Sequence, residues 1–100
     1  AVRETGGAMI AVPDEEIIAS IPRLARLTGV FAEPAAAAVY AGAQRAVKLG
    51  LITSGERVAL ISTGNGLKDV KRAQESVAGG LRVPPDVSAI RRALHLNEDG

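Results

Sequence analysis

Ser62-Thr63-Gly64-Asn65-Gly66-Leu67-Lys68-Asp69 is the stretch on which the fold turns. The apolar run Val58-Ala59-Leu60-Ile61 leads into it, and the helix-compatible residues Val70 to Val77 lead out. That order reads as a strand, a glycine-bearing loop and a helix start, the unit of an α/β protein with a parallel sheet. Open α/β sheets bind ligands just beyond the carboxyl ends of their strands, so Thr63 falls where a sheet meets its ligand. Gly64 and Gly66 allow backbone to approach a flat or charged ligand without a Cβ between. The loop carries neither the phosphate-loop pattern nor the dinucleotide-binding glycine fingerprint. On its pattern alone, Gly64-Asn65-Gly66 also reads as a plain tight turn.

Upstream of the loop, Glu33-Pro34 opens a helix, with proline at its first position. The residues from Ala35 to Ala43 are small or apolar on every side, which predicts burial on most faces. Gln44, Arg45 and Lys48 reach water, and Gly50 ends the helix. A helix from Pro34 to Leu49 is ~24 Å long, enough to cross a sheet. Earlier still, Ala8-Met9-Ile10-Ala11-Val12 has the length of a buried strand, stopped by Pro13. Asp14 offers an N-cap, and Glu15-Glu16 suit the positive first turn of a helix. Ile17, Ile18, Ile21, Leu24 and Ala25 form its apolar face, and Gly29 is a natural left-handed stop. Pro22 is expected to kink or divide that helix.

Downstream, Gly79-Gly80 breaks the pattern and Leu81 to Pro85 is extended by proline restriction. Asp86 is expected to cap a last helix from Val87 to Leu96, followed by the polar end Asn97-Glu98-Asp99-Gly100. Two parts are therefore expected: residues 1–78 as an α/β body, and residues 79–100 as an extended link with a short helix.

The chain has 100 residues, 47% of them hydrophobic, which fits at most one small globular domain. Phe31 and Tyr40 are its only aromatic residues, so large core anchors are scarce and the chain reads as part of a larger packed body. Twelve basic residues against eleven acidic ones, interspersed, give no track for nucleic acid and no basic face for an anionic membrane. Cysteine is absent, which excludes disulfides and thiolate metal sites and fits an intracellular, cytoplasmic setting. No apolar run approaches the ~20 residues that span a bilayer. The chain does not begin with Met and is expected to be processed, excised or an interior piece.

Few side chains suggest chemistry by themselves. His95 is the single histidine and has no second soft ligand, so a packing or surface role is expected and no metal site. Lys68 reads as a solvated charge, and Asp69 as the cap of the following helix. Glu33 lies between Phe31-Ala32 and an alanine-rich helix, where a partly desolvated carboxylate is either structurally paired or tuned for a site. There is no Ser/His/Asp or Cys/His set.

The run Gly29-Val30-Phe31-Ala32-Glu33-Pro34-Ala35-Ala36-Ala37-Ala38, then Gly50-Leu51-Ile52, then Thr63-Gly64-Asn65-Gly66-Leu67-Lys68-Asp69, resembles the C-terminal third of threonine synthases. The resemblance covers Thr5 to Val77, and residues after Gly80 match no pattern of the family. The Glu-Pro-Ala element is shared with pyridoxal-phosphate enzymes of the tryptophan-synthase-β type (fold type II), whereas the Thr63–Asp69 string is more specific.

The resemblance implies that residues 1–78 are the C-terminal part of the cofactor-binding α/β domain. It implies pyridoxal 5′-phosphate as cofactor, O-phospho-L-homoserine and water as substrates, L-threonine and phosphate as products, and a homodimer. It also implies that Thr63 gives its hydroxyl to the pyridine nitrogen, with Gly64 and Asn65 beside the ring and Glu33 near its face. The family's Schiff-base lysine motif and its glycine-rich phosphate cradle are missing from these residues. The chain is therefore expected to act only with an N-terminal portion of the same enzyme, and no catalytic residue is assigned within it. Two other readings stay open: another fold-type-II lyase or synthase, such as a threonine dehydratase or a cysteate synthase, and a non-catalytic interaction fragment.

Overall fold

Two long helices lie against one another and carry the core. The structure, a computed structural model, describes residues 1–95. Helix α1 spans Asp14–Thr28 and helix α2 spans Pro34–Lys48. They are followed by a 3-10 turn at Gly66–Asp69, then α3 at Val70–Glu75 and α4 at Val87–Ala93. Leu96, expected at the end of the last helix, and the polar end Asn97 to Gly100 lie outside the described residues.

Helix α1 starts one residue earlier in register than its expected cap. Pro13, at φ −64° and ψ 150°, occupies the N-cap position, and Asp14 is the first helical residue with no side-chain cap hydrogen bond. Asp14, Glu15 and Glu16 all stand in the first turn, where the helix dipole favours negative charge. Pro22 sits inside α1 without dividing it. Gly29 ends it in the left-handed conformation, φ 75°, donating its N–H to the Ala25 carbonyl. Helix α2 begins with Pro34 and ends at Lys48, with Gly50 also left-handed at φ 71°.

Ile21, Leu24, Ala32, Ala36 and Ala37 form the buried cluster, with Ile17, Ile18 and Tyr40 packed on it. Alanines on α2 let the two helices approach closely. Arg45 ties the pair together from the side. Its guanidinium donates to the Ala11 carbonyl at 2.6 Å and pairs with Glu16 at 3.5 Å.

The two expected strands do not form a sheet among the described residues. Residues 8–12 and 57–61 lie in no helix and no strand, and among the described residues the only bridge pairs Ala32 with Asn65 in antiparallel sense. A strand gains its stability from a laterally paired neighbour, and these two segments are not paired with one another. Val58, Leu60 and Ile61 stand 49%, 42% and 74% exposed. The Cα radius of gyration is 18.7 Å, well above the ~13 Å of a compact domain of this length. No helix is long and apolar enough to cross a membrane among the described residues.

Candidate functional site

The link between the two long helices and the loop after residues 57–61 are laced together. Gly29 sends the chain out of α1 into the link of residues 30–33, whose last residue, Glu33, is extended. There Glu33 N–H donates to the Gly64 carbonyl at 3.0 Å, and Gly66 N–H donates to the Phe31 carbonyl at 2.9 Å. Between them Ala32, fully buried, faces Asn65 across the bridge.

The loop then feeds the helix through two side-chain caps. Asn65 Oδ1 accepts from Leu67 N–H at 2.9 Å and opens the 3-10 turn. Asp69 Oδ1 accepts from Arg72 N–H at 3.1 Å and caps α3, as its position in the sequence suggests.

Both loop glycines are required by the chain's own packing. A Cβ on Gly64 would overlap the Glu33 carboxylate, and one on Gly66 would overlap the Phe31 ring. The close approach these glycines permit is thus first to Glu33 and Phe31. Neither contact is visible in the local sequence, because its partners come from the far side of α2.

Glu33 is largely covered, its side chain 19% exposed, and its Oε1 lies 3.6 Å from Lys68 Nζ. Lys68, expected to be a solvated charge, keeps 64% of its side-chain surface in water yet pairs with this carboxylate. Sequence reasoning missed that pairing. The one available signal was an acid and a base flanking two motifs of one family.

Thr63 is exposed at the rim of an open depression of about 470 Å³, whose wall also includes Val30, Phe31, Ser62, Gly64 and Asn65. Three of the four expected cofactor-side residues, Thr63, Gly64 and Asn65, therefore share one wall, while Glu33 stands behind Gly64 and outside it. The residues lining the depression include the hydroxyl-bearing Ser62 and Thr63 and the aromatic Phe31. Among the described residues no three His, Cys, Asp or Glu side chains gather as metal ligands. His95 is exposed with φ 53°.

The chain matches the family of pyridoxal-phosphate dependent enzymes over residues 1–64. It is similar to the threonine synthase of Methanosarcina acetivorans, 42% identical over 94 residues, which is 94% of this chain and 23% of that protein. The threonine synthase of Methanocaldococcus jannaschii is 37% identical over 94 residues, 94% of this chain and 23% of the relative. That of Mycobacterium leprae is 40% identical over 96 residues, 96% of this chain and 27% of the relative. The chain spans about a quarter of the length of these curated relatives. An alignment covering 94% of the chain leaves at most 6 of its 100 residues outside, so the likeness extends well past Val77 and Gly80, further than the motifs alone indicated.

Proposed function

The chain belongs to the family of pyridoxal-phosphate dependent enzymes, and from that premise we propose that it is the C-terminal, cofactor-side segment of a threonine synthase. Its cofactor is pyridoxal 5′-phosphate. The proposed reaction converts O-phospho-L-homoserine and water to L-threonine and phosphate, by a homodimeric cytoplasmic enzyme. The remainder of the active site comes from an N-terminal portion of the same enzyme. Residues 1–78 belong to the cofactor-binding α/β domain of fold type II, whose parallel sheet takes in residues 8–12 and 57–61. Residues 79–100 form a link and a terminal helix.

One observation carries the site assignment. Thr63 stands just before a loop tied to the link between the long helices through Gly64 and Gly66, exposed on the wall of an open depression, and the loop bears the string by which the chain resembles threonine synthases. The chemistry of the donors fits the nitrogen edge of the cofactor. A neutral hydroxyl donates to an unprotonated ring nitrogen and does not force its protonation, as a carboxylate would. Bound there, the cofactor supplies an electron sink for the proton shifts of the reaction. Thr63 would hold the ring nitrogen, Gly64 and Asn65 would line the same edge, and Glu33 would support the loop from behind.

Thr63→Val in the full-length enzyme tests the assignment. The change is nearly isosteric and removes only the hydroxyl. Phosphate release from O-phospho-L-homoserine is expected to fall about tenfold, the worth of one lost hydrogen bond of ~1.4 kcal/mol, with the unfolding midpoint preserved. Unchanged kinetics would refute the role of Thr63. Ammonia release from threonine in place of phosphate release from phosphohomoserine would replace the synthase by a dehydratase.

A further inference from the structure

We infer that Lys68 is a positioning residue: through its ion pair with Glu33 it fixes the loop that aims Thr63. This rests on the reading of Thr63 as the partner of the ring nitrogen.

Glu33 holds Gly64 twice. Its backbone N–H donates to the Gly64 carbonyl at 3.0 Å, and its carboxylate lies over the Gly64 α-carbon, in the space a Cβ would take. The first contact is backbone and depends on no side chain. The second depends on what keeps the carboxylate there. Lys68 Nζ, 3.6 Å from Glu33 Oε1, is its cationic partner. Without that charge the carboxylate gains by turning to water, since a covered, unpaired carboxylate is unfavourable. Gly64 then loses its cover. Glycine has the widest backbone freedom of any residue, and Gly64 directly follows Thr63, so its freedom becomes freedom in where the Thr63 hydroxyl points.

The arrangement is compact in sequence terms. Lys68 lies in the 3-10 turn that Asn65 opens, so the same turn that starts α3 returns a cation to the loop's own base. The lysine is not on the wall of the depression that Thr63 rims, so it acts through Glu33 and not on a ligand directly.

The test uses the full-length enzyme with Lys68→Met and Lys68→Arg. An ion pair with one partner mostly in water is worth little, so the effect is modest: about fivefold. In the cofactor-free enzyme, amide exchange in the peptide covering residues 62–68 should quicken about fivefold for Lys68→Met and stay as in the parent for Lys68→Arg. In the loaded enzyme Lys68→Met should lower kcat by a similar factor with KM within twofold. Combined with Thr63→Val, it should add no further loss. Unchanged exchange in Lys68→Met, or a full multiplication of the two losses in the double variant, overturns the inference. The two claims fail separately. A silent Thr63→Val refutes the ring-nitrogen reading whatever the exchange shows, whereas a damaging Thr63→Val with unmoved exchange in Lys68→Met refutes only the clamp.

Discussion

Replacing Gly66 by alanine places a methyl group where the Phe31 ring lies. The new Cβ would overlap Cε2 and Cζ and stand 2.7 Å from Cδ2. Gly66 is buried, and its φ is outside the left-handed region, so the overlap and not the backbone angle sets the cost. Two responses are open. The ring can stay and the link can shift, which strains the paired hydrogen bonds Glu33 to Gly64 and Gly66 to Phe31. Overpacking of this kind costs about 1–3 kcal/mol. Alternatively the ring can swing out. Phe31 is already 37% exposed, and giving up the covered part of its surface costs at most about 3 kcal/mol at 25 cal/mol per Å². Against either, alanine returns about 0.4–1 kcal/mol by restricting the unfolded chain. The net expectation is a loss of about 1–2 kcal/mol, read as a lower urea midpoint of the full-length enzyme at unchanged slope. A double-mutant cycle identifies the cause. In a Phe31→Ala background the methyl has room, so the Gly66→Ala penalty should shrink by about 1 kcal/mol or more. A Gly66→Ala change below about 0.5 kcal/mol, or an equal penalty in both backgrounds, would refute the packing argument.

Two other expectations follow from the structure. Ile21 is 2% exposed at the centre of the contact between the long helices, so Ile21→Ala should cost about 2–5 kcal/mol, and a loss under 1 kcal/mol in chemical unfolding would mean that the site collapses around the deletion. Glu56 closes the turn at Thr53, accepting from its backbone N–H and, at 2.9 Å, from its hydroxyl, and these bonds hold its carboxyl below the usual glutamate range. A carboxyl lowered by folding contributes its stability above its unfolded value and loses it as pH falls through the lower folded one. Carbon-detected NMR titration should therefore find Glu56 protonating at lower pH than a glutamate in an unfolded peptide, with the Thr53 amide shifting in the same step. A Glu56 midpoint at or above the unfolded-peptide value would refute the hold of the turn on this carboxyl.

Local rules read the helices well. Pro34 at the first helical position and Gly29 at φ 75° each follow from one residue's conformational limits, and both lie where the sequence puts them. The Asp69 cap follows in the same way. Asp14 shows where such rules slip. Its side chain suits a cap, but Pro13 takes the position and Asp14 serves the helix dipole from inside. What the sequence could not display is the lacing of the loop. Phe31 under Gly66, Glu33 over Gly64 and Arg45 reaching the Ala11 carbonyl all join residues separated by a whole helix. Their spacing has no period to detect, and a glycine required by a distant ring looks the same as one required by a turn.

The same distinction explains the two expected strands and the second helix. A pattern apolar on every side states how much surface must be covered, not by what. Helix α2 covers one side against α1, where Ala36 and Ala37 are at most 1% exposed, while Val39 and Val47 stand 37% and 57% exposed. Residues 57–61 likewise carry strand composition with no strand beside them among the described residues. Bare strand edges and uncovered valines are costly in water and prone to unwanted pairing. Under the proposed function, this is the surface on which the N-terminal portion packs. The loop differs in kind. Its hydrogen bonds, its two caps and its glycine contacts are all made within the described residues. The backbone that follows Thr63 is therefore held by this segment's own packing. Alanine at Gly66 should disturb that backbone even in an enzyme whose N-terminal portion is intact.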